Sequence, residues 1–121
     1  MISFLGTMKM KRGEIWLVNL DPTIGSEIRR TRPAVIVSSD LIGILPLKVI
    51  VPLTDWKERY ANAPLMVRID SDDQNCLSKT SVADGLQVRS VSHQRLVKKL
   101  GILRSIQVAQ IVQAIMNVLQ R

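Results

Sequence analysis

Gly25-Ser26-Glu27-Ile28-Arg29-Arg30-Thr31-Arg32-Pro33-Ala34-Val35-Ile36-Val37-Ser38 is a polar connection that runs straight into an apolar, β-branched segment. A second such segment, 13–20, precedes it. β-Branched and aromatic side chains suit a pleated, half-buried surface, so the two segments read as strands. The connection between them holds three arginines, a carboxylate and two hydroxyls, which is more chemistry than a turn needs in order to fold. Pro33 pushes the residue before it toward extended geometry, so Arg32 is fixed at a strand start. Binding and catalytic groups are often held on connections with rigid neighbours of this kind. A merely solvated arginine loop explains these residues equally well.

Working outward, the first strand covers 13–20 and ends in the turn residues Asp21-Pro22-Thr23. It is apolar on both faces, so one face is core and the other is covered in its turn. Trp16 reads as packing rather than a stacking platform. The second strand covers 33–38, and 47–54 gives the third. Pro52 lacks a backbone donor and is expected at an edge, a bulge or a strand end. Thr54 emerges where that strand releases the chain.

The loop 55–63 interleaves Trp56 and Tyr60 with Lys57 and Arg59. Such a mixture suits single-stranded nucleic acid, in which bases stack on rings and cations hold phosphates; a surface loop pinned by one aromatic is the rival reading. Residues 65–69 form a fourth strand, and the acidic turn 70–75 lacks the glycine and closing glutamate of a calcium loop. A fifth strand lies around 80–83 with a bulge at Gly85, and 87–91 continues extended. Ser92 caps a short helical turn at which His93 reads as a surface residue. A sixth strand, 96–103, follows. Ser105 then caps a helix over 106–119, with apolar residues at 108, 111, 112, 115 and 119 on one stripe. Short strands, frequent turns and one terminal helix predict a mainly β domain, a small antiparallel barrel with a C-terminal α-helix.

At 121 residues the chain is long enough for one domain with its own core. Residues 1–10 read as a disordered lead-in and 11–121 as the domain. No apolar run reaches the roughly 18 residues of a membrane span, and no basic region precedes a secretory-type apolar stretch. The single cysteine, Cys76, excludes an internal disulfide framework and a Cys-rich metal site, and fits a reducing cytoplasm. No cofactor motif is present. The net charge of +7 attracts polyanions, although an acidic protein partner would satisfy it too.

Arg12-Gly13-Glu14-Ile15-Trp16, Asp21-Pro22-Thr23, Gly25-Ser26-Glu27, Thr31-Arg32-Pro33-Ala34-Val35-Ile36-Val37, Val51-Pro52-Leu53-Thr54 and Gln87-Val88-Arg89-Ser90 occur in this order. Together they resemble the MazF/PemK/Kid toxins of bacterial toxin–antitoxin modules, in register from about Lys11 to the C-terminus. The resemblance implies an SH3-like barrel acting as a cytoplasmic homodimer. It further implies a metal-independent, sequence-specific endoribonuclease that cuts single-stranded RNA to 2′,3′-cyclic phosphate and 5′-hydroxyl ends. A cognate antitoxin, and operator DNA through that antitoxin, are the implied partners.

By position, the resemblance carries catalytic roles to Arg32, Thr54 and Glu27. Ser81 and Gln87 match positions near the family's RNA groove, with a structural role open for both. Arg29 and Arg30, which depart from the family loop, and Ser26, Trp56 and Lys57 are read as RNA contacts. Arg32 suits a forked donation to phosphate oxygens, and Glu27 is a base whose proton affinity its arginine neighbours would lower. Some relatives use a first-loop histidine and an arginine–aspartate pair. Here the loop position is Ser26 and the nearest acid, Asp84, is displaced from the pattern, so the Arg–Thr arrangement is favoured. Two other readings stay open on the same scaffold: a non-enzymatic gyrase-binding toxin, and an inactive, antitoxin-binding DNA autorepressor subunit.

Overall fold

A computed structural model describes residues 9–28, 30–42 and 45–120; the expectation of a disordered lead-in falls largely on residues 1–8, outside that set. Seven strands precede one helix: β1 (Glu14–Asn19), β2 (Thr31–Ile36), β3 (Leu47–Asp55), β4 (Met66–Ile69), β5 (Ser81–Asp84), β6 (Arg89–Ser92), β7 (Leu96–Ile102) and α1 (Ser105–Leu119). Every pairing is antiparallel. The sheet runs β4-β5-β3-β2-β1-β7, with β6 also on β3. The mainly β architecture with a C-terminal helix is as expected. The sheet itself stays open, since β4 and β7 at its two ends do not pair.

Strand alternation divides the core into two clusters. Val35 on β2, and Val37 just past its end, join Ile15, Val51, Leu53 and the helix residues Val108 and Ile111. Ala34 and Ile36 join Val18, Leu20, Ile50, Val91 and Leu96 in the second cluster. The first strand is thus covered on both faces, and Trp16 packs beside the second cluster, as does Met10. Helix α1 buries Val108, Ile111 and Ala114 and half-buries Val112 and Ile115, so the expected stripe holds through 115. Its last member, Leu119, lies 79% exposed at the helix end. Ser105 is its first residue rather than its cap. Arg104 holds the cap position and reaches Asp72 at 3.6 Å.

Three local expectations are corrected. Pro52 lies inside β3, opposite Ala34. There the far flank of β3 changes partner from β6, which pairs Leu47 to Ile50, to β5, which pairs from Leu53. The missing donor therefore falls at a break in the ladder. Gly85 does not bulge a strand but opens a 3₁₀ turn, Gly85–Gln87. His93 is buried, at 7% exposure, with its backbone N–H donating to the Pro46 carbonyl; Ser92 caps its turn through Gln94 N–H, as anticipated.

Candidate active site

The β2–β3 pairing runs Ile36 to Ile50, Val35 to Val51 and Ala34 to Pro52. Arg32 and Thr54 each lie two residues beyond the last pair of that register, Arg32 on β2 beside Val18 and Thr54 on β3 beside Val82. Three cavities meet at this pair, and Arg32 and Thr54 line all of them. A cavity of about 360 Å³ continues to Ser26, Ile28, Asp55, Lys57, Tyr60, Asp84 and Gln87. A wider one of about 580 Å³ opens toward Gly25, Glu27, Ile28 and Arg30. The third, of about 280 Å³, runs past Ser81 and Lys79 to Cys76 and Leu77.

The connection after β1 is tied down at several points. Arg30 N–H donates to Asp21 Oδ1 at 3.0 Å, and Leu20 N–H donates to the Arg30 carbonyl at 2.9 Å. Arg30 itself adopts φ +67°, a left-handed conformation uncommon outside glycine. The Arg89 guanidinium donates to the Leu20 carbonyl, and that of Arg95 to the carbonyls of Asn19 and Asp21. Glu27 braces its own turn: its Oε1 accepts from Ile24 N–H at 3.0 Å, while its N–H donates to the Ile24 carbonyl. Gln87 grips the loop from the far side, accepting from Ile28 N–H and donating to the Ser26 carbonyl.

The sequence-expected residues therefore separate. Arg32, Thr54, Ser26, Lys57 and Gln87 share one cavity, with Glu27 and Arg30 on its neighbour. Ser81 lines the third cavity but is buried, and its hydroxyl donates to the Lys79 carbonyl. Trp56 lies outside these linings: the Arg68 guanidinium covers its ring at 5.0 Å and Tyr60 meets it edge-on. Arg29 is outside the described residues.

Two further residues, named in the sequence but not assigned to the site, line it. Tyr60 lines the cavity with Lys57. Asp84, set aside as displaced, lines it as well. Its side chain caps the 3₁₀ turn by accepting from Leu86 N–H at 3.1 Å. Burial pushes its carboxyl above the ordinary aspartate range, against the opposing pull of the Leu86 and Gln87 N–H groups. Among the described residues no group of three or more His, Cys, Asp or Glu side chains is arranged to hold a metal ion. No described helix is long and apolar enough to cross a membrane.

Fold and site together define a small basic β domain in which three cavities meet at an arginine and a threonine on central strands. Residues 11–119 match the family described as the PemK-like, MazF-like toxin of type II toxin–antitoxin system. The chain is 32% identical over 112 residues to the endoribonuclease MazF9 of Mycobacterium tuberculosis, covering 88% of this chain and 92% of that one. It is 44% identical over 62 residues to the endoribonuclease PemK of Escherichia coli, covering 50% and 47%. Its fold is similar to that of MazF from Deinococcus radiodurans, with a TM-score of 0.76, 21% identity and coverage of 90% and 94%. A mycobacterial endoribonuclease solved with its cognate antitoxin superposes with a TM-score of 0.68, 18% identity and coverage of 90% and 93%. The chain belongs to the PemK-like, MazF-like toxins of type II toxin–antitoxin systems.

Proposed function

We propose that the protein is a cytoplasmic endoribonuclease toxin, active as a homodimer on single-stranded RNA and neutralised by a cognate antitoxin. The observation that carries this reading is the convergence of three cavities on Arg32 and Thr54. The identity to curated endoribonucleases supports it. In the reaction, the 2′-oxygen bonds to phosphorus as the P–O5′ bond breaks, leaving a 2′,3′-cyclic phosphate and a 5′-hydroxyl. The 2′-hydroxyl must lose a proton, the phosphorane must have its charge stabilised, and the leaving O5′ must gain a proton.

Arg32 supplies the second requirement, its planar guanidinium donating to two non-bridging oxygens. Thr54 Oγ donates to the same phosphate from across the strand pair. Glu27, on the adjoining cavity wall, keeps Oε1 on its own turn and offers Oε2 to the 2′-hydroxyl proton. Lys57 and Arg30 hold flanking phosphates, while Ser26 and Gln87 shape the path of the strand. This mechanism assigns no task to a metal ion.

Incubating the purified protein with long RNA in EDTA tests the proposal. Cleavage to 5′-hydroxyl ends is expected, and intact RNA would overturn it. Arg32→Ala should lower the cleavage rate by about 10²–10³, the usual cost of one oxyanion donor, with circular dichroism and oligomeric state unchanged. An unaltered rate would remove Arg32 from the mechanism.

A further inference from the structure

We infer that Asp84 is a specificity-determining residue, whose carboxylate reads one nucleobase beside the scissile phosphate and favours a base with an exocyclic amino group over uracil. The inference rests on the nuclease reading above and deepens it. Val82 pairs with Thr54, and Asp84, two residues beyond Val82, returns to the same face. It is therefore one diagonal step, about 7–8 Å between Cβ atoms, from Thr54. A general base has to reach the reacting proton within about 3 Å, at the phosphate gripped by the Arg32–Thr54 pair. Asp84 is set off from that point, and capping the Leu86 N–H at 3.1 Å turns one of its oxygens back toward the following turn.

Beyond the Leu86 and Gln87 N–H groups the carboxylate keeps further acceptor sites, since each of its oxygens carries two lone pairs. In the same cavity stand an aromatic ring, Tyr60, and a cation, Lys57. A ring for the base face and a cation for its phosphate are the two components of a single-strand nucleotide site. What the carboxylate adds is edge selection. It accepts from cytosine N4, adenine N6 or guanine N2, as acidic side chains do from cytosine. Against uracil, whose O2 and O4 occupy the corresponding places, acceptor faces acceptor. Asp55, the other acid of the cavity, is committed to Lys79 at 2.9 Å. No ion pair among the described residues involves Asp84.

The test is cleavage of a randomised single-stranded RNA library, with base frequencies read at every position around the cut. The wild type should discriminate against uridine at one position adjacent to the cleavage point. Asp84→Asn keeps an oxygen for the Leu86 N–H and adds an amide donor, and it should erode that discrimination by about tenfold at that position alone. Asp84→Ser, which also retains an acceptor, should flatten it likewise. Unchanged preferences in both variants would overturn the inference. A uniform loss of cleavage with all preferences preserved would do the same, assigning Asp84 to the chemistry instead. A wild type without selection against uridine anywhere would also overturn it. A wild type that cuts nothing overturns the nuclease reading, and the inference with it.

Discussion

A methyl group added at Gly101 would stand 2.5 Å from the Asn75 carbonyl oxygen and 2.6 Å from that of Gln74. Both are backbone atoms of the loop between β4 and β5, and they cannot rotate aside. Asn75 is fully buried there. Its side-chain oxygen accepts from the N–H groups of Asp72 and Leu77, and its amide donates to the Asp70 carbonyl. The acidic turn 70–75 is thus organised around a buried amide. Gly101→Ala should cost about 1–3 kcal/mol, as overpacking does, seen as a lower urea midpoint. Because Cys76 and Leu77 follow in the same loop and line a cavity at Arg32, activity should fall with it. At this scale the sequence was partly legible. Pro33 announces where Arg32 stands, since its effect is local. Asp84 was set aside as a site residue because its place depends on the pairing of β3 with β5, a contact no spacing along the chain reveals. Gln87, left open between RNA contact and structural group, spends both ends of its amide on the loop at 26–28.

At the level of elements, β1 and β7 are joined by more than their ladder. The Glu14 carboxylate, nearly buried, meets Lys99 Nζ at 3.0 Å and accepts from the Trp16 indole and from Lys11 N–H. Burial pushes this carboxyl up, but the Lys11 N–H, the Trp16 indole and Lys99 together outweigh it and leave it below the usual glutamate range. A carboxylate held below its unfolded value stabilises the fold above about pH 4.3, and the contribution fades as pH falls through the folded value. Glu14→Gln should therefore lower Tm at neutral pH, and the gap from wild type should narrow on acidification below about pH 4. A gap that does not change with pH would contradict this account. The strands themselves were legible from their β-branched runs, and the helix from its stripe. Pro52 was not, because the change of partner along β3 that tolerates it is a property of three strands at once. Nor was the burial of His93, whose turn is tied to the Pro46 carbonyl through the His93 N–H.

For the molecule as a whole, the +7 charge and the cations at the cavities set a salt dependence. Each phosphate neutralised on a single strand contributes a slope of about −0.7 to log K against log salt. Contacts from Arg32, Lys57 and Arg30 should give a slope near −2, measured with a 2′-deoxy oligonucleotide that binds without being cut. A slope near zero would show that the charge serves another partner. The mainly β class and the single helix were readable from turn spacing and periodicity. Closure was not: whether the terminal strands meet depends on accumulated twist, which leaves no local mark on the residues.

Arg32 and Thr54 stand on β2 and β3, each held in register by a neighbouring strand, whereas the cavity walls leading away from them come mostly from connections. A ladder tolerates little drift, since a shift of one residue turns every side chain to the other face; connections accept substitution readily. On the proposed reading the phosphate is held from strands, while most of the surface that meets the rest of the RNA is loop, so changes in the loops can alter which transcripts fit without disturbing that hold.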